Sequence, residues 1–197
     1  HDCRPLFLYQ PGIESLERNK NEKSDYDLYS FRKYPFLLDR GSISRWYFWV
    51  YAISHQLNIP WLKAPKDESV TDHIIIARSH RYRSPHIDYS FLSKYPKLLF
   101  IGVPEEFEDM KLSLPALQHR PVKEFLEMAS IINGCRLFIG NQSFPFSIAE
   151  GLKANRLLEV FYKAPNVVPE GPGAYDFMFQ PQFEALTEQL YNNPAVK

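Results

Sequence analysis

Two short segments concentrate the groups in this chain that bind anions. The first, Arg78-Ser79-His80-Arg81-Tyr82-Arg83-Ser84-Pro85-His86, places three arginines, two histidines and a tyrosine in nine residues. Arginine presents a planar fork of donors that matches the oxygens of a phosphate or carboxylate. The second, Gly140-Asn141-Gln142-Ser143, follows the apolar run 137–139 and precedes a helical pattern with Phe146, Ile148, Ala149 and Leu152 on its apolar side. Ser143 suits a helix N-cap and Pro145 a first helical turn. A strand, a small polar turn and a helix in that order offer free backbone N–H groups and the positive end of a helix dipole to an anion. Arg78, Arg81, Asn141, Gln142 and Ser143 are therefore the candidate phosphate ligands. Each segment also has a plainer reading. The turn matches neither G-x-G-x-x-G nor a Walker loop and is equally an ordinary strand-to-helix connection. The loop is equally a solvated one that pairs with the acidic segment 105–109.

Other chemistry is weaker. Glu150 lies two turns into the helix after the turn, where it either accepts from ribose hydroxyls or faces solvent. Glu105 and Glu106 follow Pro104 in a helical first turn, where the dipole favours acidic residues. Adjacent helical residues point about 100° apart, a poor geometry for the paired carboxylates of glycoside hydrolysis. Glu159 interrupts the apolar run 157–161, and a buried charge is costly unless paired or at a sheet's end. It is expected where that strand meets the ligand rim. His55, His73 and His119 stand apart without ligand spacing, so no metal site is predicted. No Ser-His-Asp or Cys-His set is spaced for catalysis, and no catalytic residue is assigned.

These residues need a scaffold. Beyond a polar linker at 65–69, apolar runs at 74–77, 98–101, 137–139 and 157–161 read as strands. They alternate with helical patterns at 88–95, from 105, and at 122–132, 147–153 and 182–191. That rhythm predicts an α/β fold: a Rossmann-like, mainly parallel sheet with helices on both faces and right-handed crossovers. The turns after Ala77, Ile101, Ile139 and Phe161 then share one rim, outside the carboxyl ends of the strands. Before the linker, the pattern predicts strands at 6–9 and 26–31, a polar connection from Gly12 to Ser24, and an aromatic-rich helix over 42–57.

The 197 residues carry 23 Lys+Arg and 23 Asp+Glu, a balance that argues against nucleic acid as a partner. No apolar run approaches the ~20 residues of a membrane span. Two distant cysteines, Cys3 and Cys135, predict plain thiols in a reducing, cytoplasmic setting. The chain opens at His1 with neither an initiator Met nor a secretory signal pattern, and is expected to lack an N-terminal part.

Residues 131–159, IINGCRLFIGNQSFPFSIAEGLKANRLLE, resemble the donor-binding half of GT-B glycosyltransferases related to bacterial ADP-heptose heptosyltransferases. The likeness is nearest to a heptosyltransferase-like branch found in bacteria and phages. IIIARSHRYRSP from Ile74, FIGVPEEFEDM from Phe100, KAPN from Lys163, and Tyr26-Asp27-Leu28 with Phe31-Arg32 fit the same pattern in the same order. The resemblance implies two Rossmann-like lobes with a nucleotide-diphosphate sugar between them. Residues 66–197 would be the donor lobe, and 1–65 a remnant of the acceptor-side lobe with its connecting helix. Asn141, Gln142 and Ser143 would meet the donor phosphates, with Arg78 near the diphosphate and Glu150 near the ribose, and transfer to an acceptor would need no metal or other cofactor. The family's Gly-rich N-terminal unit and acidic base have no counterpart before Leu6. Its Asp/Ser/Thr-rich donor turn is replaced by Gly140-Asn141-Gln142-Ser143-Phe144-Pro145. Two functions therefore stay open: a glycosyltransferase, or a non-catalytic binding or structural module of the same fold.

Overall fold

Three isoleucines and an alanine in a row leave no polar face for water, so a strand built from them is buried on both sides. The computed structural model, which describes residues 2–17 and 24–194, places that strand (β1, Ile74–Ala77) inside a six-stranded sheet. The others are β2 (Leu98–Phe100), β3 (Gln118–His119), β4 (Leu137–Asn141), β5 (Arg156–Glu159) and β6 (Ala174–Phe177). Their order is β3-β2-β1-β4-β5-β6, and every pairing is parallel. Helices among the described residues are α1 (Arg4–Leu8), α2 (Ile43–Val50), α3 (Pro104–Ser113), α4 (Phe125–Gly134), α5 (Phe144–Leu152) and α6 (Gln180–Asn192). The α/β, Rossmann-like class read from the sequence is the observed one.

The two-residue period of the strands divides the core. Ile75, Ala77, Leu99, Phe138 and Leu158 meet the apolar sides of α1, α4 and α5. Ile74, Ile76, Phe100, Ile139 and Leu157 meet α3, α6 and the 3-10 turn Ser90–Lys94.

The N-terminal readings need correction. Residues 6–9 are not a strand: Pro5, pre-set for a first helical turn, starts α1, whose Leu6 is buried in the α4–α5 core. Residues 26–31 are not a strand either. The Asp27 carboxylate accepts the Tyr29 N–H at 3.0 Å and folds the chain into the 3-10 turn Ser30–Lys33. The helix predicted over 42–57 ends at Val50, because Ala52 turns left-handed at φ 51°. Ile53 N–H then reaches Phe48 C=O at 3.0 Å and Ala52 N–H reaches Trp49 C=O at 3.2 Å, the two bonds of a Schellman stop made without glycine. β3 and β6 escape sequence reading, one by its brevity and the other by its polar, edge-strand character. The polar connection read from Gly12 to Ser24 lies partly outside the described residues, as does His1.

The N-terminal segment is fastened to the sheet layers by backbone. Trp61 and Leu62 both donate to Gly151 C=O, at 2.9 and 3.0 Å, and the Gln10 amide exchanges hydrogen bonds with Lys63. Within the 65–69 linker the chain presses on the end of α4: a Cβ on Gly134 would stand 2.1 Å from Asp67 C=O. Gly134→Ala is accordingly expected to cost about 1–3 kcal/mol of unfolding free energy through overpacking against backbone. Urea denaturation checks this, and an unchanged midpoint would contradict the close approach.

Candidate functional site

In this strand order β1 and β4 are neighbours whose outgoing chains leave in opposite directions, towards β2 and towards β5. The loops part there and open a crevice at the carboxyl ends, the position where ligands bind in open α/β sheets. The basic loop leaves β1 at Arg78, and the Asn-Gln-Ser turn ends β4. The fold thus brings the basic loop and the Asn-Gln-Ser turn to one switch point. Asn141 staples them: its amide oxygen accepts Ser79 N–H at 3.0 Å, and its amide nitrogen donates to Ser79 C=O at 2.8 Å and Tyr82 C=O at 3.2 Å.

Beneath the loop lies a buried ion pair. Arg78 Nε and Nη2 donate to Glu159 Oε2 and Oε1 at 2.6 and 2.7 Å, with Glu159 fully shielded from solvent. Arg78 Nη2 also reaches Ser84 C=O at 3.1 Å. Glu159 further accepts Ser84 N–H at 2.6 Å and the Tyr89 hydroxyl at 2.9 Å. Burial works to lower the Arg78 pKa, but the Glu159 hydrogen bonds and surrounding negative charge outweigh it and hold it above the usual arginine range. Burial, reinforced by Glu159, pushes the Tyr89 phenol well up, so it stays a protonated donor. Arg78 therefore lies under the rim as a clamp on the loop. Glu159 ends β5 beside that rim, where the cost of burying its charge placed it.

Three further candidates are also engaged with protein. Gln142 donates to Ala164 C=O at 2.7 Å and Asn166 Oδ1 at 2.8 Å, and accepts Phe161 N–H at 2.7 Å. Glu150 is ion-paired with Lys153 and with Arg156 (2.6 Å) and accepts Glu170 N–H at 3.2 Å. Asn141 is saturated by the staple described above. Arg83 forms an ion pair with Asp109 and donates to Arg78 C=O at 3.2 Å, so part of the basic loop does pair with the acidic segment. Its hydrogen bond holds the Asp109 carboxyl below the usual range.

Arg81 and Ser143 face outward. Arg81 is exposed, lies over the Tyr82 ring at 4.8 Å, and has no acidic partner among the described residues. Ser143 takes the N-cap position of α5 without a capping hydrogen bond from its hydroxyl, which points back to Asn141 C=O at 3.3 Å. The Phe144 N–H, first in the helix, is left without an intrahelical acceptor. Arg81, Gln142, Ser143 and Phe144 line an open cavity of about 290 Å³ together with Phe146, Ser147 and Val167. A cationic fork, an uncapped helix N-terminus and a rotatable hydroxyl converge there on a space sized for a diphosphate. Across the rim, Glu106 is half-buried, with one oxygen accepting His80 N–H at 3.3 Å. The sequence reading assigned Glu106 to helix capping. Ser84 and Asn166 carried no signal beyond their place in the basic loop and in KAPN, and Tyr89 and Val167 carried none. Among the described residues no group of three or more His, Cys, Asp or Glu is placed to hold a metal, and no helix is long and apolar enough to cross a membrane.

No protein-family model matches the chain, and no curated protein matches it. Among solved structures, the glycosyl transferase family 9 protein from Veillonella parvula DSM 2008 is similar at 12% identity and a TM-score of 0.49. The match covers 82% of this chain and 56% of that one, so this chain spans little more than half its length.

Two outcomes follow from the buried groups. Arg78→Ala strands Glu159 uncompensated in the interior and is expected to cost about 3–5 kcal/mol of stability, read by chemical denaturation. Wild-type stability in that variant would mean the pair holds nothing. The second concerns Asp109, whose folded pKa is below its unfolded value of about 3.9. Its contribution is complete at neutral pH and is lost as pH falls through the lowered folded value. Asp109→Asn should flatten the acid side of a Tm-against-pH curve, and an unaltered acid limb would count against the contact.

Proposed function

We propose that the chain binds the diphosphate of a nucleotide sugar at the β1/β4 switch point and acts as a glycosyltransferase-like protein of GT-B type. The observation that carries this reading is the meeting of the basic loop and the uncapped N-terminus of α5 at one crevice. Arg81, Ser143 and the Phe144 N–H are the phosphate-facing groups in this proposal. Arg78, Asn141 and Gln142 hold them in place from below. Glu106, on the rim after β2, replaces Glu150 in this proposal as the carboxylate for a ribose diol. Residues 66–197 are the donor lobe, and residues 1–65 belong to the acceptor side.

In the reaction proposed, an acceptor hydroxyl oxygen forms a bond to the sugar's anomeric carbon as the bond from that carbon to the diphosphate breaks. The acceptor's proton passes to a base. The electron pair leaves with the diphosphate, whose growing charge meets Arg81 and the helix N-terminus rather than a metal ion. Preorganised donors aimed at developing charge are the effective device for such a step.

A second reading, a binding module without chemistry, is favoured by the engagement of Arg78, Asn141, Gln142 and Glu150 with protein. The donor site is tested by titrating the 197-residue chain with UDP, ADP, GDP and CMP, each with and without Mg²⁺, in a thermal-shift assay, and release of the diphosphate from a bound nucleotide sugar separates the two readings. Saturable, metal-independent stabilisation by one nucleoside diphosphate is the expected result. Arg81→Ala should weaken that binding by about 1–3 kcal/mol, the range for a lost charge-assisted hydrogen bond, with the ligand-free Tm unchanged. No shift with any of the nucleotides removes the donor-site reading.

A further inference from the structure

The turn that forms the proposed anion site is wired to the N-terminal segment through one side chain. Gln142, immediately before Ser143, gives an amide hydrogen to Asn166 Oδ1 at 2.8 Å. Asn166 passes the connection on: its Nδ2 donates to Leu38 C=O at 2.7 Å, and its own carbonyl accepts Ile43 N–H at 2.9 Å. Ile43 is the first residue of α2, whose N-cap Ser42 makes no side-chain cap, so Asn166 supplies the acceptor that helix start lacks. A parallel tie binds the segment 166–170 to the same helix, Arg45 to Glu170 at 2.9 Å. The residue after Asn166 is Val167, a wall of the cavity at the N-terminus of α5. A shift of Asn166 therefore moves the cavity wall and loosens Gln142 together, and it unseats residues 38–43 at the other end.

We propose that Asn166 is a positioning residue that couples the seating of the 38–46 segment to the geometry of the Gln142–Ser143 turn. Anion binding at the turn and order in α2 are then mutually dependent. By linkage, the factor by which anion binding favours an ordered α2 equals the factor by which an ordered α2 strengthens anion binding. The coupling rests on the reading of that turn as an anion site only for its functional consequence. The hydrogen-bonded relay itself is independent of any ligand.

Hydrogen exchange on the 197-residue chain tests this with near-isosteric variants. Gln142→Glu keeps the acceptor for Phe161 N–H but loses both donors. Asn166→Asp keeps the acceptor for Gln142 but loses the donor to Leu38. The protected amides to follow are Ile43, Arg45 and Trp46 at one end, and Phe146 and Ser147 at the other. Each variant should speed exchange about 3- to 10-fold at the end remote from the bonds it loses, Ile43 to Trp46 for Gln142→Glu and Phe146 and Ser147 for Asn166→Asp, the size expected for losing one hydrogen bond from a local opening equilibrium. Faster exchange confined to each variant's own contacts would overturn the proposal, since a merely structural bond acts locally. Inorganic pyrophosphate added to the wild type should protect Phe146 and Ser147 and, across the relay, Ile43 to Trp46. Asn166→Asp should abolish the distant protection. If pyrophosphate protects nothing in the wild type, the anion-site reading fails, while the ligand-free variants still decide whether the relay exists.

Discussion

Two charges are buried at the rim of this sheet, and the shape of that rim follows from the need to satisfy them. Taking a guanidinium and a carboxylate out of water costs several kcal/mol per ion, repaid only when geometry is good and every remaining donor and acceptor finds a partner. Arg78 and Glu159 enlist the loop itself: Ser84 N–H and the Tyr89 hydroxyl donate to Glu159, and Ser84 C=O accepts from Arg78. The pair reaches from β1 to β5 across the end of the intervening β4. The loop after β1 is consequently laid down over the strand ends rather than left to swing in solvent.

That constraint divides the basic loop into two kinds of residue. Arg78 and Arg83 turn inward and pair with carboxylates, and Asn141 ties the same loop to β4. Arg81 is carried outward between them, next to a helix start that no side chain caps. The outward groups are positioned by the ion pairs and the amide staple of the inward ones. Preorganisation of this kind is what lets a few donors hold a small anion without reordering on arrival.

The elements of the sheet were legible where burial dictates composition. Runs such as Ile74–Ala77 and Leu137–Ile139 have one home in a soluble α/β protein, between two layers of helices. Legibility failed where local hydrogen bonding outweighed pattern. Leu6 is as apolar as a strand residue, but Pro5 beside it begins a helical turn. The aromatic run after Ser42 continues in sequence past Val50, yet Ala52 takes a left-handed conformation that sequence assigns to glycine or asparagine. Gln118–His119 is a strand only because β2 is there to pair with it.

For the site, the sequence alone determined the ingredients: arginines clustered after one strand, a small polar turn after another, and a carboxylate at Glu159 too costly to bury unpaired. Those facts are local, since side-chain type and hydrophobic period are properties of short segments. Which strands are neighbours was decided by the tertiary structure alone. So was the division of labour among residues of one type, with Arg78 spent on Glu159, Arg81 left free, Glu150 drawn into the Lys153–Arg156 cluster and Glu106 left on the rim. The physical reason is that a charge chooses its partner by distance and desolvation, and both are set by strand order and chain packing rather than by position along the sequence.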